Sequence, residues 1–161
     1  MKAIINENTL KKIVAESIKK ILKETTGLKE EWTEEDKIKD RNLSILGRFI
    51  QKNFPEDLAI KIYCKYGTEN KHHSMWIDRS DYEPDDGEEN TDENFLLHCA
   101  YRDWRIDKEY GYGYTIQMFL QDLDWCDELY KRFINFSPKQ ILVEFKKWYI
   151  KYMKTDRWEP N

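Results

Sequence analysis

The hydrophobic residues of this chain change their spacing partway along it, and such a change of period restricts the fold more than any single motif. Between Ile38 and Ile50 they recur every three or four residues, as on one face of a helix. Between Leu58 and Tyr66 they occupy every second position, as in a half-buried strand. A chain with both patterns is expected to combine helices with a sheet.

Three further segments are predicted as strands. They are Ser74–Arg79, Phe95–Trp104 and Tyr112–Leu120. Short links between successive strands favour an antiparallel arrangement, because parallel strands need long crossover connections. The predicted fold class is therefore α+β, with an antiparallel sheet of about four strands flanked by N-terminal and C-terminal helices.

Two helix starts carry capping signals. Thr33 precedes three acidic residues, which favour the positive end of a helix. Ser137 precedes a proline, with a glutamine three residues after the serine. One more helix is predicted to begin at Asp122 or Asp124 and to end at Ile134.

The segment from Asn8 to Glu24 predicts an amphipathic helix. At about 100° per residue, its apolar side chains fill one half of the helix surface, called here the apolar arc, and lysines fill most of the other half. Gly27 suits the residue that follows a helix. We therefore divide the chain into an amphipathic N-terminal helix, residues 1–27, and a single α+β domain, residues 28–161. The arc comprises Leu10, Ile13, Val14, Ser17, Ile18, Ile21 and Leu22.

The same segment, about residues 4–24 and including INENTLKKIVAESIKKILKE, resembles a short helix found in other small proteins. That helix recurs ahead of unrelated domains in proteins of gut Bacteroidetes and their tailed phages. The resemblance implies a phage or mobile-element accessory protein. It carries no catalytic residue.

Composition predicts a folded, soluble domain. The 161 residues are 36% charged, yet 14% are aromatic, which supplies large apolar areas from few positions. No apolar run approaches the roughly 20 residues of a membrane span. Cys64, Cys99 and Cys126 are widely spaced and odd in number, which favours reduced thiols in the core of a cytoplasmic protein over a disulfide framework.

Charge is segregated along the chain, although the net charge is only −4. Residues 1–27 contain six lysines and three glutamates. Residues 80–94, called here the acidic loop, contain eight acidic residues and no basic one. Residues 131–157 contain eight basic and two acidic residues. One loop rather than a whole face carries the acid, which differs from the distribution expected of a DNA mimic.

The region after His98 combines basic and aromatic residues that could bind nucleic acid. In an extended chain the three tyrosines of Tyr-Gly-Tyr-Gly-Tyr share one side, and such a strip could stack on bases or pack under a helix. Glycines there could also mark a bulge. The candidate residues are Arg102, Trp104, Arg105, Tyr110, Tyr112 and Tyr114.

No metal site or cofactor is predicted. The acidic loop has acids at alternate positions from Asp81, but Gly87 is one residue too late for an EF-hand. His72 and His73 are interpreted as surface residues, and His98 as lying on the strand face opposite Cys99. The chain has no P-loop, GxGxxG, HExxH or GxSxG pattern.

These patterns favour a non-catalytic accessory or regulatory protein that binds another macromolecule. A protein partner is expected to contact the N-terminal helix at Leu10, Val14, Ile18 and Ile21, the acidic loop, or both. Self-association through the N-terminal helix is an alternative. Nucleic-acid binding by the Arg/Trp/Tyr residues and a lysine-rich C-terminal helix is the second hypothesis. A small hydrolase using loop carboxylates is the third. No membrane partner is expected, and the predicted location is the bacterial host cytoplasm or the virion.

Overall fold

The computed structural model describes residues 7–25, 32–67 and 79–155, and this part of the chain contains seven α-helices and no strand. A single 3₁₀ turn lies at Arg79–Asp81. None of the described helices is both long and apolar enough to cross a membrane. The helices are α1 (Glu7–Thr25), α2 (Glu34–Asn53), α3 (Glu56–Gly67), α4 (Asp92–Trp104), α5 (Tyr114–Trp125), α6 (Asp127–Ile134) and α7 (Pro138–Lys154).

The chain divides into two compact units at a point within α2. The first, Met1–Ile38, contains α1 and the start of α2. The second, Lys39–Asn161, contains the rest of α2 and helices α3 to α7. Within the second unit, α3 packs on α4 and α7, and α5 packs on α4, α6 and α7.

The predicted α+β fold is wrong, and α3 shows why. The alternating run Leu58–Tyr66 is helical. Its buried residues include Ala59, Ile62 and Tyr63, which are three and four residues apart and share one helix face. The strand prediction counted only the residues at even positions as buried. Ala59 and Tyr63, at odd positions, are buried too, since alanine and tyrosine also pack in cores, and with them the pattern is helical.

Two other predicted strands are helices as well. In α4 the buried residues are Cys99, Ala100, Asp103 and Trp104. In α5 they are Thr115, Ile116, Phe119, Leu120 and Leu123. Both sets advance by one and then three positions, a spacing that fits a helix and not a strand. The fourth predicted strand, Ser74–Arg79, lies outside the described residues except for its last position.

The predicted helix starts at Thr33 and Ser137 are confirmed. Thr33 Oγ1 accepts a hydrogen bond from Asp36 N at 3.1 Å, and Asp36 Oδ2 accepts one from Thr33 N at 2.9 Å. This reciprocal pair satisfies two backbone donors that a helix start otherwise leaves unpaired. Ser137 Oγ accepts a hydrogen bond from Gln140 N at 3.3 Å at the start of α7.

The predicted helix ending at Ile134 is divided at Cys126 into α5 and α6. Lys39 Nζ lies at this division. It donates to the backbone oxygen of Asp124 at 2.6 Å and to Asp127 Oδ1 at 2.8 Å. The cation thus contacts the carbonyl end of α5 and an acid in the first turn of α6, both of which favour positive charge.

An aromatic cluster forms the centre of the second unit. Phe145 of α7 is fully buried, and its ring lies 5.0 Å from Phe54 and 5.1 Å from Phe119 between centroids, both edge-on. Trp104 of α4 joins it, with its ring 6.2 Å from Tyr149. Aromatic pairs at such separations add to the stabilisation from area burial. The cluster explains how a chain with 40% apolar residues builds a core.

At the connection between α4 and α5, the backbone of Gly113 lies very close to the backbone at the end of α4. A Cβ atom on Gly113 would lie 2.4 Å from the carbonyl oxygen of Trp104, so no other residue fits here without a backbone shift. Gln51 of α2 forms hydrogen bonds with both Gly113 and Trp104. Its Oε1 accepts from Gly113 N at 2.7 Å, and its Nε2 donates to Trp104 O at 3.3 Å.

Candidate functional site

The apolar arc of α1 is exposed wherever the structure describes its side chains. Ile13, Val14 and Ile18 retain 47%, 48% and 52% of their accessible surface. The side chains of Leu10 and Ile21, predicted as partner-binding residues, lie outside the described part of the chain. A row of half-exposed branched apolar side chains is unfavourable in water, and such rows are typical of interaction surfaces.

The predicted Arg102, Trp104 and Arg105 group is divided between surface and core. All three are in or directly after α4, where Arg102 and Arg105 are exposed. Trp104 is 2% exposed, and its ring packs against Phe54 and Tyr149. It cannot stack on a base in the folded protein.

The predicted tyrosine strip is not extended. Gly111 has a φ of +77°, a left-handed conformation that turns the chain, and Tyr114 begins α5. Tyr110 is 44% exposed and its ring stacks on that of Tyr112 at 6.0 Å, while Tyr112 is buried. The three rings therefore form no common exposed platform, and the interpretation of this segment as a strand is wrong.

A groove of about 550 Å³ lies between the acidic loop and the outer face of α4. We call it the α4 groove. It is lined on one side by Asp85 and Glu88, and on the other by residues of α4 and its C-terminal end that include His98, Arg102 and Arg105. In the sequence, Arg102 and Arg105 were predicted as nucleic-acid-binding residues, and no local pattern pairs them with the acidic loop. Their joint position depends on α4 being a helix, because 98, 102 and 105 share a face only at the helical period.

The buried Asp103 is a residue that the sequence analysis missed. It is 5% exposed, and its carboxyl group accepts a hydrogen bond from the Tyr63 side chain. Burial raises the pKa of Asp103 to about 7, against the opposing effects of the Tyr63 hydrogen bond and the Arg102 charge. Burial also raises the pKa of Tyr63. A helical reading of α4 would have indicated Asp103, because it shares a face with Ala100 and Trp104.

The histidines and cysteines form no metal centre in the described residues, where no group of three or more His, Cys, Asp or Glu side chains could hold an ion. His98 is exposed beside the buried Cys99. His72 and His73 lie outside the described residues. All three cysteines are reduced, but Cys126 is exposed, so the interpretation as core thiols does not extend to it.

Comparison with protein-family models, with curated proteins and with solved structures found no match to this chain.

Proposed function

We propose that this protein is a non-catalytic accessory protein that binds another protein through the apolar arc of α1. The exposure of Ile13, Val14 and Ile18 is the observation that carries the proposal. Amphipathic helices commonly bind by placing an apolar face in a groove, with contacts spaced three and four residues apart. Val14 and Ile18 are four residues apart, and Ile13 lies beside Val14 in the same apolar arc.

The charges around the arc define the kind of partner. Lys11 and Lys20 lie at its two edges on a helical projection, and Lys12 and Lys19 lie behind it. A partner groove with an apolar floor and acidic rims complements this distribution, since opposite charges at a rim favour the correct encounter. A second copy of α1 would bring the same lysines toward one another.

The resemblance of residues 4–24 to a helix of small Bacteroidetes and phage proteins supports a phage or mobile-element setting. The proposed location is accordingly the bacterial host cytoplasm or the virion. The resemblance covers the same helix whose apolar arc is exposed, which is consistent with a helix used to dock other proteins.

The nucleic-acid hypothesis has less support, because Trp104 and Tyr112 are core residues. Arg102, Arg105 and Tyr110 remain exposed, but they provide one exposed ring rather than a stacking platform. No observation favours the hydrolase hypothesis.

The test compares capture of host proteins by the full chain and by two double variants. Val14→Asp with Ile18→Asp places charge in the arc. Lys12→Gln with Lys19→Gln changes the net charge by the same amount on the opposite face and is the matched control. Lysates of gut Bacteroidetes, with and without phage infection, are the source, and mass spectrometry identifies the captured proteins.

A supporting result is one protein that wild type and control capture and the arc variant does not. It must then bind the purified wild-type chain with an affinity that falls only modestly with added salt, as expected of apolar docking with charged groups at the rim. Steep salt dependence would indicate phosphate contacts. Oligomers that form with increasing concentration and are abolished in the arc variant would indicate that the arc binds a second copy of the chain instead of another protein. Binding to anionic vesicles that the arc variant loses would indicate a lipid surface instead.

A further inference from the structure

The α4 groove has a cationic wall built by the period of the helix. His98, Arg102 and Arg105 follow one another at intervals of four and three residues and line the same cavity. Within the described part of the chain, neither arginine forms an ion pair with a carboxylate. Arg105 also lies over the Tyr101 ring, 5.7 Å from its centroid. The guanidinium groups are thus held on this face and available to an anion.

The opposite wall is anionic. Asp85 and Glu88 line the cavity, and in the described structure neither forms an ion pair. Their loop is anchored rather than loose. Arg79 donates to Asn90 Oδ1 at 2.7 Å and to Asp92 Oδ1 at 3.0 Å, and Glu88 N donates to Asp85 O at 2.9 Å. The two walls therefore face one cavity without neutralising each other.

Tyr82 is a buried residue that packs against His98 of the groove. It is 5% exposed, and its ring lies 5.3 Å from the His98 ring. Its hydroxyl is buried without a hydrogen-bond partner in the structure. Burial raises the pKa of Tyr82, and the charges of Glu88 and Asp85 raise it further. An unpaired buried hydroxyl is uncommon in native proteins.

We propose that the α4 groove binds a small zwitterion of the amino-acid or short-peptide class. Its carboxylate pairs with Arg102 and Arg105, and its ammonium group pairs with Asp85 and Glu88. A simple anion would meet the acidic wall and a simple cation the basic wall, so only a molecule with both charges is stabilised by both. Leu97 and Tyr101 of α4 also line the cavity and provide apolar surface. The volume of about 550 Å³ is within the range of small-molecule sites.

The test uses the full chain, labelled with ¹⁵N, and four forms of one dipeptide. Leucyl-leucine carries both charges, its N-acetyl form only the negative charge, its C-terminal amide only the positive charge, and the doubly blocked form neither. Amide shifts in α4 and the acidic loop report binding. The variants are Arg102→Gln and the pair Asp85→Asn with Glu88→Gln. Arg132→Gln, on the exposed surface of α6, is the matched control for loss of an arginine.

We expect saturable shifts with leucyl-leucine at a Kd of about 1 mM or below, and at least about tenfold weaker binding of each blocked form. Both groove variants should weaken binding of the free dipeptide by a similar factor, and Arg132→Gln should not. Absence of saturable shifts with the free dipeptide overturns the proposal. Equal binding of the N-acetyl form, unaffected by the Asp85 and Glu88 changes, also overturns it and leaves a plain anion site.

Discussion

The carboxyl group of Asp103 accepts a hydrogen bond from the hydroxyl of Tyr63 inside the second unit, so α3 and α4 share a polar contact within the core. The carboxyl is 5% exposed, and burial raises its pKa to about 7. Folding therefore favours the protonated form, and the stability of the protein is expected to depend on pH.

Asp103→Asn should stabilise the protein at neutral and alkaline pH. Between about pH 4 and pH 7 the folded wild type binds a proton that the unfolded chain has released, so its free energy of unfolding falls as pH rises through this window. Below this pH window the protonated carboxyl group of Asp103 contributes its full stabilisation, and above the window that stabilisation is lost. At pH 8 the free energy of unfolding of Asp103→Asn should exceed that of wild type by at most about 4 kcal/mol. Urea unfolding at several pH values measures it.

Asp107→Asn, at an exposed position, is the control for removing one charge. It should leave the pH profile of unfolding nearly parallel to that of wild type. An Asp103→Asn profile equally parallel to wild type would show that the carboxyl group does not titrate differently in the two states.

Gly113→Ala should destabilise the protein strongly. The new Cβ would lie 2.4 Å from the carbonyl oxygen of Trp104, which is backbone and cannot move aside without shifting the end of α4. It would also disturb the hydrogen bond from Gly113 N to Gln51. We expect a loss of about 3 kcal/mol, at the upper end for an overpacked site. Chemical denaturation gives the value, and a loss below the error of the method would contradict the geometry.

Gly47→Ala is expected to cost less than Gly113→Ala, although it also creates close contacts. Its Cβ would meet side-chain atoms, Leu120 Cδ1 and the Tyr112 ring, each at 2.8 Å. Side chains can relax, and alanine in the middle of α2 gains about 1 kcal/mol of helix propensity over glycine. We predict a net loss of about 1 kcal/mol from overpacking. The same denaturation assay ranks the two variants, and a reversed order would refute the distinction between backbone and side-chain neighbours.

Thr91→Ala should lower stability by about 1 kcal/mol, because Thr91 Oγ1 accepts a hydrogen bond from Asn94 N at 3.1 Å at the start of α4. Thr91→Ser retains the acceptor and should behave like wild type. Thermal unfolding followed by circular dichroism distinguishes them. If Thr91→Ser lowered the stability as much as Thr91→Ala, the loss would come from the missing methyl group and not from the missing cap.

Some features followed from the sequence because their causes are local. Thr33 and Ser137 were identified as helix starts since a cap needs only a side-chain oxygen and the amides two or three residues later. The helix containing Ile13 and Ile18 was identified because its apolar period extends over several turns. Neither inference required knowledge of what the rest of the chain contacts.

The tertiary structure decided whether α3, α4 and α5 are helices or strands. In a segment of about ten residues, the same apolar positions can fit either a strand with alternating burial or one face of a helix. In α3 the burial of Ala59 and Tyr63 shows that the segment is a helix, and this burial is known only from the structure. The same burial places Trp104 and Tyr112 in the core and leaves Arg102 and Arg105 on the groove. Helix packing depends on which faces of distant segments meet, and that information is not present in any local run of residues.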